Sequence, residues 1–386
     1  MSAKKADWDV VIAGAGLAGL SLAAELAAPQ FAHLRVLVIE PRENYVRDRT
    51  WSYWDTPNAL PKRWQGLAQA RWPRWSVSLD SSSVISKGAV AYTNVRADTF
   101  YEDALKTISA APHIQWLRGD RLAQNHSSAQ GVELITQTGQ KLNVKRLFDS
   151  RPPVPIEADD WVQHFTGWEV QCSAPCFTPD LVQLMAFESK PNGLHFIYCL
   201  PYSTTLALVE STWISRAAVQ ATVDAEQELK DALQHRFQCA DYEITFREQG
   251  ALPLRPAMPV DQLNVVRIGR AGGMLRAATG YAFCATLQQT SDLAASLAVH
   301  LAQGSALLDW QAPAHKASSL DQWMDAIFFR VLERDWQTAP NYFLSLFERV
   351  PERQLIAFLQ GSATPKERFA VMRALPAWPF MRSALG

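Results

Sequence analysis

"VIAGAGLAGL", residues 11–20, sets Gly14, Gly16 and Gly19 in the spacing G-x-G-x-x-G between an apolar run and a helix-forming one. Residues 8–14, "WDVVIAG", read as a short buried strand. Residues 17–28, "LAGLSLAAELAA", read as a helix, and residues 34–40, "LRVLVIE", as the next strand. Together they predict a βαβ unit that opens a parallel sheet. The first glycine permits the tight turn, the second lets the backbone approach a pyrophosphate, and the third lets helix and strand pack closely. The helix N-terminus adds unpaired N–H groups and the positive end of its dipole. Glu40 ends the second strand, 21 residues after Gly19, where an acid accepts hydrogen bonds from a ribose hydroxyl. The alternative is a tight turn with no ligand.

Outward from this unit the pattern changes several times. A polar, tryptophan-rich stretch runs to about residue 90. Residues 96–109, "RADTFYEDALKTIS", predict a helix with Asp98 as N-cap. Residues 120–137 predict a hairpin around "SSAQG", and "KRLFDSRPP", residues 145–153, a strand that stops at two prolines. From about 161 to 211, "WVQHFTGWEVQC", "LVQLMAFES", "HFIYCLP" and "LALVEST" are strand-like, with the turn signal "KPNG" at 190–193. They predict an antiparallel meander, followed by a helix over "AAVQATVDAEQELKDALQHRF". "RIGRAGG" and a helix from about 281 to 302 predict a return to the first unit, and the last eighty residues are mostly helical. The expected fold is mixed α/β: a Rossmann-like nucleotide-binding domain, an inserted antiparallel-sheet substrate domain, and a helical C-terminal region. The boundaries fall at 1–150, 151–260, 261–310 and 311–386. The N-terminal cradle and this interrupted layout favour FAD over NAD, with "VVRIGRAGGMLRAATGYAF" placed to approach the flavin.

The bulk composition excludes some classes. The 386 residues are 48% apolar and 19% charged, enough to build two or three packed units. A net charge of −1 offers no global attraction to nucleic acid. Cys172, Cys176, Cys199, Cys239 and Cys284 show no ligand spacing, so they read as reduced packing residues without a metal. No window supplies the ~20 uninterrupted apolar residues of a membrane span, and the N-terminal residues do not read as a signal peptide. The 14 tryptophans are a heavy load, and "RWQGLAQARWPRWSV" sets several beside arginines. Such pairs suit a membrane interface, although burial is the commoner fate of tryptophan.

One acid stands out. With period two, Leu206, Leu208 and Glu210 share one face of a strand, beside a second apolar strand. A carboxyl there is poorly solvated, so it keeps its proton and can act as a general acid. A strand-end glutamate facing water is the alternative reading of the spacing. Glu188, nearer a turn, reads as solvated.

These residues, with "RTWSYW" at 49–54, "FIYCLP" before "ALVEST", "REQGALPL" at 247–254, "ATGYAF" at 278–283 and "FFRVLERD" at 328–335, resemble the flavin-dependent lycopene cyclases nearly end to end. The resemblance implies a flavoprotein monooxygenase-like fold and reduced FAD, with NADPH or NADH as external reductant. It also implies a non-redox reaction, in which an acid protonates the terminal double bond of a linear carotenoid and a six-membered ring closes on the cation. Glu210 matches the family's acid. Gly14, Gly16, Leu17, Ala18, Gly19, Glu40, Trp51, Gly272, Gly273, Met274, Thr279, Gly280 and Tyr281 would lie at the flavin. The partner implied is a polyene, at the inner face of a bacterial cell membrane, on a cytoplasmic protein attached peripherally. Trp72, Trp75, Arg71, Arg74 and "LPAWPFMR" at 375–382 are the candidate docking residues. Two positions depart from the family. Ser211 replaces a second acid, and its change to Asp is expected to be tolerated. Ala277, after Arg276, replaces a proline. A cyclase of another polyene or terpenoid, an FAD-dependent monooxygenase, and a non-catalytic carotenoid- or membrane-binding protein are the rival readings. Arg270 after Gly269, where monooxygenases have an acid, counts against the oxygenase. Asp149 is the second candidate acid.

Overall fold

A computed structural model describes residues 6–152, 155–220, 222–255, 262–314 and 318–385. Pro153 and the boundary expected at 260–261 lie outside the described residues. In chain order the first half comprises β1 (Trp8–Ala13), α1 (Leu17–Leu26), β2 (Val36–Glu40), β3 (Thr50–Trp54), β4 (Ala70–Trp72), β5 (Arg74–Leu79), β6 (Ser82–Ile85), β7 (Tyr92–Arg96), α2 (Ala97–Ser109), β8 (Ile114–Arg118), β9 (Leu122–Ser128), β10 (Gly131–Thr136) and β11 (Lys141–Asp149). The second sheet and its helices follow: β12 (Trp161–Cys172), β13 (Leu181–Glu188), β14 (Gly193–Pro201), β15 (Leu206–Arg216), α3 (Ala217–Gln220), α4 (Ala225–Asp231) and β16 (Tyr242–Pro253). The chain closes with β17 (Val265–Arg267), α5 (Phe283–Ala302), α6 (Ser319–Asp335), α7 (Ala339–Arg349), α8 (Glu352–Leu359), α9 (Pro365–Ala374) and α10 (Ala377–Leu385).

The first sheet runs β8-β2-β1-β11-β10-β9, and β17 pairs with the C-terminal end of β11. Its β8, β2, β1, β11 and β17 pairings are parallel, as crossover connections require. β1 is apolar on both faces because both are covered. Val10 and Ile12 pack with α1, α2 and α5, while Val11 and Ala13 pack with β9 to β11. α1 lies so close to the loop before it that a Cβ on Gly19 would run into the Gly14 carbonyl oxygen. The expected βαβ unit, the hairpin and the return of β17 to this sheet are all present.

The second sheet runs β16-β12-β15-β14-β13-β5-β6. One face carries Trp75, Leu208 and Ile214 against α6 to α9, with Trp54 and Trp72 of the small sheet in the same cluster; the other carries Trp168, Val170, Val209 and Cys199 against α4. A small sheet, β3-β7-β4, lies at the boundary of the two large ones.

Several local expectations are corrected. The tryptophan-rich stretch forms β3 to β6, two of which join the second sheet. Trp72 and Trp75 are buried in the core, not available for docking, and Trp72 Nε1 donates to the Pro201 carbonyl at 2.7 Å. They alternate with Arg71 and Arg74, which pair with Asp55 and Asp180, so only the cations reach the surface. Asp98 does not cap α2. It sits in the first turn and holds Arg96. The helix expected after β15 is broken into α3, α4 and a π turn at 232–236.

Arg276, one of the two residues at the departure from the family pattern, fastens the C-terminal helices to the return segment. Its guanidinium faces Asp325 at 3.3 Å and Asp321 at 3.8 Å, and bonds the Phe358 carbonyl. Arg368 donates to both Asp321 oxygens through Nε and Nη2, each at 2.7 Å.

Gly19→Ala should destabilise the protein by about 1–3 kcal/mol, because the obstacle is backbone that cannot rotate away. That exceeds the gain of up to ~1 kcal/mol that alanine brings to a helix. Urea unfolding reads the difference, and an unchanged midpoint would contradict the close packing of α1.

Candidate active site

A cavity of about 470 Å³ lies between the two large sheets. At one end its walls are Leu17 at the start of α1, Trp51, Arg49, Arg270 and the segment 278–283. At the other they are Phe165, Phe196, Tyr198, Thr212 and Glu210, with Phe343, Phe347 and Leu359 from α7 and α8 closing the side. Leu17, within the glycine motif, and the strand acid, nearly two hundred residues apart in sequence, thus line one space.

At the loop end, Gly14 adopts φ +86° and Gly16 precedes α1 with nothing within 4 Å of the position a Cβ would take. No side chain caps α1, so its first amides face that open ground. Leu17, Ala18 and Gly19 form the first turn, with Ala18 and Gly19 buried. Glu40 is buried. One of its oxygens accepts the Ala15 amide at 2.5 Å and the other accepts Arg42 Nε at 2.8 Å. A carboxylate has about four acceptor sites, so capacity for a hydroxyl remains. Arg270 makes no ion pair among the described residues, and burial and its neighbour Arg49 push its guanidinium pKa down. An open helix N-terminus, an acid at the end of β2 and an uncompensated arginine fit an anionic nucleotide cofactor such as FAD. Trp51 stacks on Phe283 at 5.3 Å, and Thr279, Gly280 and Tyr281 line the same wall. Gly272, Gly273 and Met274 do not line the cavity: a Cβ on Gly272 would collide with the Arg267 carbonyl, and Gly273 is left-handed.

At the strand end, period two holds. Glu210, Thr212 and Ile214 face the cavity, and the uncovered part of Glu210 lines it. Tyr198, Glu210, Gly167 and Glu248 form one row across β14, β15, β12 and β16. Gly167 has no side chain, so the glutamates on either side lean over it: its Cβ would stand 2.9 Å from Glu210 Cγ and 3.2 Å from Glu248 Cγ. Burial, and then the charge of Glu248, hold the Glu210 carboxyl well above the usual carboxylate range. Burial raises Glu248 as well. Thr50 approaches Glu248, but its hydroxyl oxygen and both Glu248 oxygens are buried without a well-formed partner. In "REQGALPL" the one local signal for Glu248 is a charge two residues before Gly250 in a strand, and its meaning depends on the β12–β16 register.

Around Glu210 the wall is aromatic. The Tyr198 hydroxyl lies 3.0 Å from Ser52 Oγ and 3.3 Å from Tyr92 Oη. Burial raises the phenol pKa of Tyr198, Tyr92 and Tyr281, so these rings stay neutral. Asp149, by contrast, is fully buried between Arg151 and Arg267 at 2.7 and 2.8 Å and does not border the cavity.

Behind Glu210, on the far face of β15, lies a second polar cluster. Ser211 Oγ donates to Glu228 at 2.5 Å, Trp213 Nε1 donates to the same oxygen at 3.0 Å, and His195 sits within 3.4 Å of both Glu228 and Glu188. Burial raises the Glu228 carboxyl, but its hydrogen bonds with His195, Ser211 and Trp213 bring it down to about 2. Glu188 is therefore not a free solvated acid: its bond to His195 lowers its pKa. Cysteine placement also departs from expectation. Cys172 and Cys239 are disulfide-bonded, and Cys176 completes a group whose sulfurs lie within 4.8 Å of one another. Tertiary packing, not sequence spacing, brings Cys239 to the other two.

The family model described as lycopene cyclase protein matches residues 9–385, and the chain belongs to that family. It is 25% identical to the lycopene beta-cyclase of Pantoea ananas over 398 residues, covering 97% of this chain and 96% of that protein. It is 25% identical to the lycopene beta-cyclase of a Paracoccus species over 391 residues, covering 96% and 95%. Among solved structures it is similar to a flavoprotein/dehydrogenase from Cytophaga hutchinsonii, with a TM-score of 0.61, 14% identity, and coverage of 98% of this chain and 99% of that one. The fold is thus the mixed α/β fold with a Rossmann-like sheet and a helical C-terminal region.

Ser211→Asp, expected from the family pattern to be tolerated, is revised by this geometry. The new carboxylate would meet Glu228 and remove a charge-assisted bond worth about 1.5–3 kcal/mol. Thermal unfolding should show Ser211→Asp less stable than the parent; equal stability would contradict the assigned bond.

Proposed function

We propose that the protein is a reduced-FAD-dependent cyclase that closes rings at the ends of a linear carotenoid, lycopene to β-carotene in type, with no net redox change. The observation that carries the reading is a proton-holding carboxyl, Glu210, aimed into an aromatic-walled cavity that reaches the glycine loop. A polyene has no polar handle, so only apolar and π surface can hold it, and only an acid that still carries its proton in a water-excluded place can protonate it. Glu210 gives its proton to a terminal double bond: the O–H bond breaks, the π pair forms a C–H bond, and a tertiary cation remains. The next double bond supplies the pair that closes the ring. A proton then leaves the carbon beside the new cation, restoring an alkene and an isomer of the substrate. Tyr198, Tyr92, Tyr281 and Phe165 line the same cavity and supply aromatic rings to stabilise that cation.

In this reading residues 1–150 and 261–310 hold FAD, 151–260 hold the substrate, and 311–386 cover it, with β5 and β6 lent to the substrate sheet. Gly14, Gly16, Leu17, Ala18, Gly19 and Glu40 take the adenosine and pyrophosphate. Trp51, Thr279, Gly280 and Tyr281 border the flavin, and Gly272, Gly273 and Met274 precede the last three in the chain. Reduced with NADPH or NADH, the flavin would supply an anionic charge that stabilises the cation. Glu210→Gln keeps shape but has no acidic proton. It should bind FAD as the parent does and lose about a hundredfold to ten-thousandfold in cyclisation, read as ring-bearing pigment from lycopene under anaerobic reduction. Parental cyclisation by this variant would overturn the assignment of the acid.

We also infer peripheral contact with the inner face of the cell membrane. No helix among the described residues is long and apolar enough to cross a bilayer. Exposed apolar side chains concentrate on α6, α9 and α10, with Trp323, Phe369, Trp378 and Met381 all about half exposed or more. Arg373 and Arg382 lie among them. Such an apolar-basic surface suits anionic lipid. The protein should float with anionic liposomes, and a Trp378→Ser/Met381→Ser variant should float less. Equal flotation would remove this patch from consideration.

A further inference from the structure

We propose that Glu248 is the positioning residue that keeps the proton on Glu210, the two carboxyls meeting across Gly167 as one proton-sharing pair. The inference rests on the cyclase reading for its purpose, but its structural basis stands apart from it.

Alternate strands of a sheet are roughly 10 Å apart, so side chains on β15 and β16 do not ordinarily meet. Here the strand between them carries glycine at the register position that faces both glutamates. The space a side chain would take is filled by the two glutamate stems. Glu210 borders the cavity and Glu248 does not. Glu248 is 5% exposed, and neither of its oxygens has a well-formed donor elsewhere among the described residues. Two buried carboxylates side by side cannot both ionise cheaply, so the pair retains one proton at neutral pH. Glu248 takes the negative charge because Arg47 stands on its side of the row. Arg47 is held by Glu169 at 2.7 Å and packed over Phe246, close enough to bias the charge without neutralising the pair.

The consequence reaches the chemistry. When Glu210 protonates the polyene, the O–H bond becomes a C–H bond and the pair is left with two negative charges beside a new cation. The dianion attracts the cation, and its own repulsion drives recapture of the proton that the ring releases. One proton enters and one leaves, so no oxidant, reductant or metal is consumed. Glu210 is the catalytic residue; Glu248 acts through it.

The test compares FAD-loaded parent, Glu210→Gln, Glu248→Gln and Gly167→Ala proteins by two readouts across pH. One is the infrared carbonyl band of a buried protonated carboxyl. The other is the pH profile of cyclisation in lycopene-loaded liposomes. The groups facing the pair are Arg47 and Thr50 before and in β3, Tyr92 on β7, Tyr198 on β14 and Tyr202 after it. The phenols stay neutral over the working range, so a limb in this range reports the carboxyls. The parent should show the band at neutral pH, and Glu210→Gln should lack it. In Glu248→Gln the repelling charge is gone and the amide donates to Glu210. Both the band and the alkaline limb should then move to lower pH by about one to three units, with KM little changed. Gly167→Ala, which wedges the carboxyls apart, should move them the same way. A band and limb that stay at the parental pH in both variants, even with lower activity, would overturn the pair. Absence of cyclisation in the parent would defeat the functional reading alone, because the infrared titration still decides whether the proton is shared.

Discussion

A carboxyl that must hold its proton in neutral solution has to be kept from water and from cations, and the architecture around Glu210 meets both needs. Its strand lies in the middle of the second sheet, with β12 and β14 on either side. Its open side is an aromatic cavity, and the nearest titrating neighbour is another acid. Arg47, the cation on the Glu248 side of the pair, is tied to Glu169, and Arg276 is tied to Asp325. The C-terminal helices complete the enclosure through Phe343, Phe347 and Leu359, and Arg276 binds those helices to the segment that borders the other wall.

The polar groups on the far face of β15 belong to the same design. Ser211 and Trp213 point away from the cavity because side chains alternate, and Glu228 and His195 satisfy them there. The strand that carries the acid is thereby fixed from behind by charge-assisted bonds while its front remains apolar. This also accounts for the departure at position 211. The second acid that the family resemblance leads one to expect at position 211 would project to the back of the sheet, where Glu228 from α4 already supplies a carboxylate.

Much of this was legible in the residue pattern where the cause is local. The βαβ unit could be read because glycine spacing, strand runs and the terminal acid all lie within the first forty residues. That Glu210 shares a face with Leu206 and Leu208 followed from period two, but that this face is covered and not open to water depends on the helices packed over it. What escaped was set by register or packing between distant segments. Glu248 matters because β16 and β15 flank Gly167, which no local pattern announces. Trp72 and Trp75 look amphipathic beside their arginines, and only the partner helices make them core. Cys239 meets Cys172 through a separation of 67 residues.

The central claim is that a proton from Glu210 starts ring closure and that no oxygen or net electron enters the product. Reaction of the FAD-loaded, reduced protein with lycopene in deuterated water, under anaerobic conditions, tests it most directly by mass analysis of the pigment. The account predicts a cyclic isomer that carries one deuterium for each ring formed, because the pair exchanges with solvent before it protonates the polyene. An oxygenated or dehydrogenated product, or a ring that carries no deuterium, would contradict it.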